Sequence, residues 1–172
     1  GRLTLNPLAH WDQVGTSLLV GLIILRSIGL PLPVIGWGKP VPVNDNNFDN
    51  PRWSGFQTAI PGPMSNFILA AIIGMIVFYS HLPLAVEQLL SFAVYTNIFL
   101  MFFNLIPIPP LDGSHLLRYF IGMSEETFLY LCQYGIFILL LVLRFQAVRD
   151  LLGLMTGNTV LFLARLFGIP VE

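Results

Sequence analysis

The residues with the clearest chemical potential lie in the segment Asn104-Leu-Ile-Pro-Ile-Pro-Pro-Leu-Asp112-Gly113. Asp112 is the first ionisable side chain after an uncharged stretch, residues 88–111, that is long enough to cross a bilayer. A carboxylate at membrane depth, or at the membrane boundary, is costly and usually serves a function. Asp112 is therefore the first candidate for a functional side chain.

Three prolines indicate how this acid could be positioned. Pro107, Pro109 and Pro110 each lack a backbone N–H, so together they end the preceding helix, and the chain is expected to run extended towards Asp112. Backbone that is not helical survives inside a membrane only where protein or a polar cavity covers it. The segment predicts a broken helix that presents a carboxylate into a protected pocket.

The composition places these residues in a membrane protein. Of the 172 residues, 55% are hydrophobic and 10% are charged, whereas a soluble domain carries about 25% charged residues. The predicted fold class is an all-α polytopic membrane protein with about four transmembrane segments, one broken helix and a short extended or re-entrant stretch. The expected surroundings are a lipid bilayer. The net charge of −1 and the absence of a basic run argue against nucleic acid as a partner.

Two helices are predicted in the first half of the chain. Residues 14–25 are uncharged but too short to span a bilayer, and the prolines that follow end this helix near Gly29. A re-entrant portion is expected after it. The second helix is predicted to open with Pro63 at its first position and to complete a span at Tyr79. Asn66 lies in its first turns, where a side-chain amide needs a polar partner.

Two more spans are predicted in the second half, at residues 88–107 and 127–143. Asn97 and Asn104 are seven residues apart and therefore share one face of the first of these helices. For Asn97 the expected role is a hydrogen bond to a neighbouring helix. Residues 144–172 carry charges between short apolar runs, and they are predicted to lie along the membrane surface.

The main polar connection, residues 37–53, contains prolines at alternate positions. This pattern is typical of an edge strand, whose open side could pair with another extended peptide. A plain surface loop is the alternative. The residues concerned are Lys39, Pro40, Val41, Pro42, Val43 and Asn44.

Four segments in order resemble the site-2 protease family of intramembrane zinc metalloproteases: Gly1-Arg-Leu-Thr-Leu-Asn-Pro, Gly36-Trp-Gly-Lys-Pro-Val-Pro-Val-Asn, Pro61-Gly-Pro-Met-Ser-Asn and Asn104 to Gly113. The resemblance implies one membrane-embedded peptidase domain over residues 1–172, which acts on transmembrane protein substrates in or near their membrane segments. It implies one zinc ion with Asp112 as the third protein ligand, and Asn104 as a polar residue that steadies the substrate carbonyl or oxyanion. It also implies that residues 39–44 and Asn66 contact the substrate.

The sequence departs from the family in one respect. The other two zinc ligands and the catalytic glutamate of the family come from an H-E-x-x-H helix, and none of His10, His81 and His115 begins this pattern. In the family that helix lies just upstream of the segment resembling residues 1–7, so we expect the chain to begin within a longer protein. Because one carboxylate cannot hold the ion, the chain alone is expected to bind no catalytic zinc and to hydrolyse no peptide.

Two other functions stay open at this point. A cation-coupled carrier could also use an acid at a broken helix, and an inverted repeat would favour that function. A relative of the family that has lost catalysis could bind membrane partners without cleaving them. An upstream motif without its glutamate or one histidine would indicate this second alternative.

Overall fold

The structure is a computed structural model that describes residues 13–30, 55, 57, 59–80 and 82–168. The chain divides into two compact units, Gly1–Asn47 and Phe48–Glu172. Every regular element among the described residues is an α-helix, so the all-α prediction is confirmed for them. The single peptidase domain over residues 1–172 stays a prediction.

The first unit contains helix α1, Gln13–Ser27, which is 15 residues long. Gly29 follows with a φ of 97°, a left-handed conformation that glycine adopts without steric cost. The prediction that this helix ends near Gly29 is confirmed. The expected re-entrant portion and the possible edge strand, residues 39–44, lie outside the described residues.

Between residues 60 and 168, the described part of the second unit contains five helices. They are α2 (Pro61–Tyr79), α3 (Leu84–Asn104), α4 (Gly113–Ile121), α5 (Glu125–Val142) and α6 (Gln146–Leu166). Four of them, α2, α3, α5 and α6, are long and apolar enough to cross a membrane, yet at most 17% of each apolar window is buried. Whole helices with exposed apolar side chains require hydrocarbon around them. The chain is a multi-pass membrane protein.

The C-terminal region corrects one prediction. Instead of a segment along the membrane surface, residues 146–166 form one continuous helix of 21 residues, and it packs against α3. Thr156 is fully buried, and its hydroxyl donates a hydrogen bond of 2.7 Å to the carbonyl of Leu152 in the same helix. The polar residue that interrupts the apolar run is thus satisfied without water, so the helix can continue across the bilayer. With α6 counted and the short α1 set aside, the described residues still contain four candidate spans.

Two local predictions also differ from the structure. Helix α2 begins at Pro61, two residues before Pro63. Both prolines fit, because N–H groups in the first turn have no partner inside the helix. Asn97 forms no bond with a neighbouring helix among the described residues; its Nδ2 donates to the carbonyl of Ala93 in α3 at 2.8 Å.

Helices α2, α3 and α6 form the packed core of the second unit. Its buried residues are Ala70, Val94, Ile98 and Leu163. The end of α6 lies beside the C-terminal half of α2, since a Cβ on Gly74 would be 3.1 Å from the ring of Phe167. Helices α2 and α6 are therefore parallel, and α3 runs antiparallel to both. This bundle supports the broken end of α3.

Candidate functional site

A loop of eight residues separates α3, which ends at Asn104, from α4, which begins at Gly113. The predicted helix break is therefore confirmed. The loop does not run extended, however. The N–H of Ile108 donates to the carbonyl of Ile106 at 2.8 Å, and the N–H of Leu111 donates to the carbonyl of Ile108 at 3.0 Å. Successive turns suit the prolines, because a fixed φ near −65° is common in turns.

Asp112 stands immediately before α4, with a helical backbone of φ −57° and ψ −35°. Its carbonyl accepts a hydrogen bond of 3.0 Å from the N–H of His115. Its carboxylate does not cap the helix, and no described residue donates a hydrogen bond to it. The side chain is half-buried. The carboxylate of Asp112 therefore takes no part in the hydrogen bonding of its own helix.

The electrostatics of Asp112 favour a cationic ligand. Asp112 lies outside the four apolar spans. Burial raises the pKa of its carboxyl above the ordinary value, while the charge of His115 opposes this rise. A carboxylate that has lost hydration and accepts no hydrogen bond from the described residues is stabilised when a cation replaces the lost water.

Two glycines allow the backbone of the loop to approach α4 and α5 more closely than a residue with a Cβ would permit. A Cβ on Gly113 would meet the carbonyl oxygen of Leu105 and lie 2.6 Å from that of Ile106. A Cβ on Gly135 of α5 would meet the carbonyl oxygen of Pro109 and lie 2.8 Å from its carbonyl carbon. Real Cβ atoms essentially never approach so closely. Backbone contacts therefore fix the loop between the start of α4 and the middle of α5.

A third glycine, Gly62, brings α2 against Asp112. A Cβ on Gly62 would meet Oδ2 of Asp112 and lie 3.5 Å from its Cγ. Asn66 is half-buried, and because it follows Gly62 by four residues it lies on the same face of α2, one turn away. The structure thus brings together two of the segments singled out in the sequence, Pro61–Asn66 and Asn104–Gly113.

Asn104 is the last residue of α3 and is half-buried. Its side-chain amide makes no hydrogen bond with the described residues, so a polar group stays available where the helix breaks. Its contact with substrate is untested and stays a prediction. The other predicted substrate contacts, residues 39–44, lie outside the described residues.

The support that α5 gives to the site was not predicted from the sequence. The ring of Phe128 lies 5.0 Å from the ring of His115. The guanidinium of Arg118 lies 5.1 Å from the centre of the Phe128 ring. Phe128 is buried, so these contacts and the one at Gly135 hold α4 and the loop on α5. The sequence feature that could have indicated this contact is Gly135, a glycine inside a run of bulky apolar residues.

The described residues do not complete a zinc site. Among them, no three His, Cys, Asp or Glu side chains lie close enough together to hold a metal ion. A hydrolytic zinc takes three protein ligands and keeps a further position for water. Asp112, with an oxygen donor free of hydrogen bonds from described residues, fits the role of one such ligand.

Comparison with known proteins identifies the class of protein. Residues 80–143 match the model of peptidase family M50. A stretch of 127 residues is 35% identical to the "Putative zinc metalloprotease YwhC" of Bacillus subtilis (strain 168), and it covers 69% of this chain and 53% of that protein. The chain thus spans about half the length of this curated relative. No solved structure matches the chain.

The fold and the site define a multi-pass membrane protein in which a broken helix presents a carboxylate. The chain belongs to peptidase family M50, the site-2 protease family. The resemblance inferred from the four sequence segments is therefore confirmed. The matched region contains all of α3, the loop, α4 and α5, and so includes both Asn104 and Asp112.

Proposed function

We propose that this chain acts in an intramembrane zinc metalloprotease, which hydrolyses peptide bonds in or near the transmembrane segments of other membrane proteins. One observation carries the proposal. The half-buried carboxylate of Asp112 accepts no hydrogen bond from the described residues, and it lies where the broken helix meets α2, inside the region that matches the peptidase family. A carboxylate in these surroundings suits a metal ligand better than a structural role.

The proposal gives each polar residue of the site a separate task. Asp112 supplies one oxygen ligand to zinc, and the bound ion would supply a water molecule with a pKa lowered to about 7. Asn104, at the end of α3, donates its amide to the substrate carbonyl or to the oxyanion that develops from it. Asn66, on the face of α2 that touches Asp112 through Gly62, contacts the substrate chain.

A transmembrane substrate must lose its helical structure before water can attack. Its carbonyl groups are hydrogen-bonded within the substrate helix, and they must be exposed at the site. Residues 39–44 are proposed to pair with the unwound substrate as an added strand. In the full-length gene product, replacing Val41 and Val43 with proline should reduce cleavage of a transmembrane substrate. Unchanged cleavage by this double variant would reject the pairing.

The chain of 172 residues is proposed to lack zinc when it is alone. Its sequence contains no H-E-x-x-H pattern, and among the described residues no three His, Cys, Asp or Glu side chains lie close enough together to hold a metal ion. Zinc content measured on the isolated chain checks this expectation, and one zinc per chain would contradict it.

The role of Asp112 is tested by zinc content in the full-length gene product. Asp112→Ala is expected to reduce zinc affinity by more than the roughly 10–100-fold that loss of an outer-shell partner costs, because a direct ligand is removed. Asp150→Ala is the matched control, since Asp150 is an exposed acid of α6. Equal zinc in the wild type and in Asp112→Ala would reject the ligand assignment.

A further inference from the structure

An apolar groove of about 330 Å³ lies between the end of α3 and the first half of α6. On the α3 side it is lined by residues that include Phe102 and Pro107. On the α6 side its lining includes Val148, Leu152 and Met155, which recur at positions i, i+4 and i+7 and so form one stripe of the helix. The groove is thus formed within the second unit by two packed helices.

The groove opens at a membrane boundary. Helices α5 and α6 are both long enough to span the bilayer, so the turn between them, residues 143–145, lies at one surface of the membrane. The first groove residue of α6, Val148, comes three residues after this turn. Leu151 and Met155 are 55% and 39% exposed, whereas Leu152 is 7% exposed, so the groove has a buried floor and an exposed rim.

Two arginines lie at this membrane boundary, Arg144 in the turn and Arg149 next in sequence to the groove residue Val148. The guanidinium of Arg149 donates hydrogen bonds of 2.8 Å to the carbonyl of Leu143 and 2.7 Å to that of Arg144, which holds it over the turn. The side chain of Arg144 forms no hydrogen bond or ion pair with the described residues. Asp150, the nearby acid, lies roughly 165° around α6 from the centre of the stripe, at 100° per residue. With Asp150 counted, the membrane boundary beside the groove therefore carries a net positive charge.

We propose that the groove binds an acyl chain of an anionic phospholipid, whose phosphate lies between Arg144 and Arg149. Charge complementarity selects this occupant. A zwitterionic lipid would fill the groove but carry no net charge to match the arginines, and an apolar peptide segment would leave both without an anion. Arginines near an anionic lipid surface each strengthen binding about fivefold. Lipid binding in this groove does not depend on proteolysis.

The test compares two lipids with identical acyl chains on the purified full-length protein. Native mass spectrometry measures binding of the first molecule of dioleoyl phosphatidylglycerol and of dioleoyl phosphatidylcholine. The anionic lipid is expected to bind at least tenfold more tightly, since two arginines act together. Arg144→Gln should weaken binding of the anionic lipid about fivefold and leave the zwitterionic lipid unchanged.

Three further variants make the assignment specific. Arg165→Gln, at the other end of α6, is the matched charge control and should change neither affinity. Met155→Trp should weaken both lipids by filling the groove. Arg149→Gln would remove both the positive charge and the hydrogen bonds to the turn. Arg149→Lys keeps the charge and should therefore preserve the preference for the anionic lipid. Circular dichroism checks that helix content is unchanged in each variant.

Several results would overturn the proposal. Equal affinity for the two lipids, or an equal loss in Arg165→Gln and Arg144→Gln, would show that the arginines at the turn do not select the ligand. Unchanged lipid binding in Met155→Trp would place the lipid elsewhere. A dimer that becomes monomeric in Met155→Trp would assign the groove to a second copy of the chain.

Discussion

The bundle of α2, α3 and α6 and the loop between α3 and α4 are held in place by different kinds of contact. In the bundle, apolar side chains from three helices pack on one another, and Ile98 is fully buried among them. Around the loop, backbone carbonyls lie directly against Gly113 and Gly135. Side chains can change rotamer when a neighbour changes, whereas a carbonyl moves only with its chain. Stability of the bundle and geometry of the site should therefore respond to different mutations.

Gly113→Ala is expected to have the largest effect. Its Cβ would meet the backbone of Leu105 and Ile106, so the loop must move, at a cost of about 3 kcal/mol, the upper part of the usual range for overpacking. Chemical unfolding in mixed micelles measures the loss. Gly157→Ala is the control, because a Cβ there meets nothing within 4 Å. A stability of Gly113→Ala equal to the wild type would contradict the proposed backbone contact.

Ile98→Ala tests the other side of the comparison. Deleting this fully buried side chain should cost about 2 kcal/mol, the lower end of the range for such changes. The low value is expected because lipid tails are as apolar as the core, so the loss is mainly one of packing. Zinc content of the folded full-length variant should equal that of the wild type. Loss of zinc without unfolding would show that the bundle and the site are not separate.

Gly135→Ala and Gly153→Ala form a matched pair of substitutions in spanning helices. A Cβ on Gly135 would lie 2.8 Å from the carbonyl carbon of Pro109, whereas a Cβ on Gly153 meets nothing within 4 Å. The first change should lower the free energy of unfolding by about 1–2 kcal/mol. The second should raise it by about 0.5–1 kcal/mol, because alanine loses less backbone entropy in a helix. Changes of the same sign would refute the contact between α5 and the loop.

Ser124→Ala should have the smallest effect. The Ser124 hydroxyl caps α5 by accepting a hydrogen bond of 3.3 Å from the N–H of Thr127, a long and exposed contact. Its loss should cost about 0.5–1 kcal/mol, with zinc content of the full-length protein unchanged. Ser124→Asp, which can also accept this bond, is the control and should restore stability. A loss as large as that of Gly113→Ala would mean that the start of α5 also fixes the loop.

The sequence allows the helix break to be predicted because its causes are local. Prolines lack a donor wherever they stand, and the uncharged run before Asp112 is long enough to span a bilayer in any fold. The continuous helix α6 is not predictable in this way. Thr156 interrupts the apolar run in the sequence, and only the structure shows that its hydroxyl bonds to Leu152 within the helix.

The surroundings of the acid also escape prediction from sequence. That Asp112 is a candidate follows from its residue type and its neighbours along the chain. That Gly62 touches its carboxylate, and that Gly135 touches Pro109, depends on how helices distant in sequence approach each other. A glycine permits such an approach without specifying its partner. The sequence therefore indicates the ligand, while the helices that position it emerge only in the fold.

The contact between Gly62 and Asp112 has an entropic consequence. Because α2 occupies the space on one side of the carboxylate, rotamers that would turn the side chain in that direction are already excluded in the folded chain. A ligand that binds to Asp112 then restricts fewer side-chain motions than it would in an open loop. This preorganisation transfers part of the cost of binding to folding, where the packing of α2 on α3 offsets it.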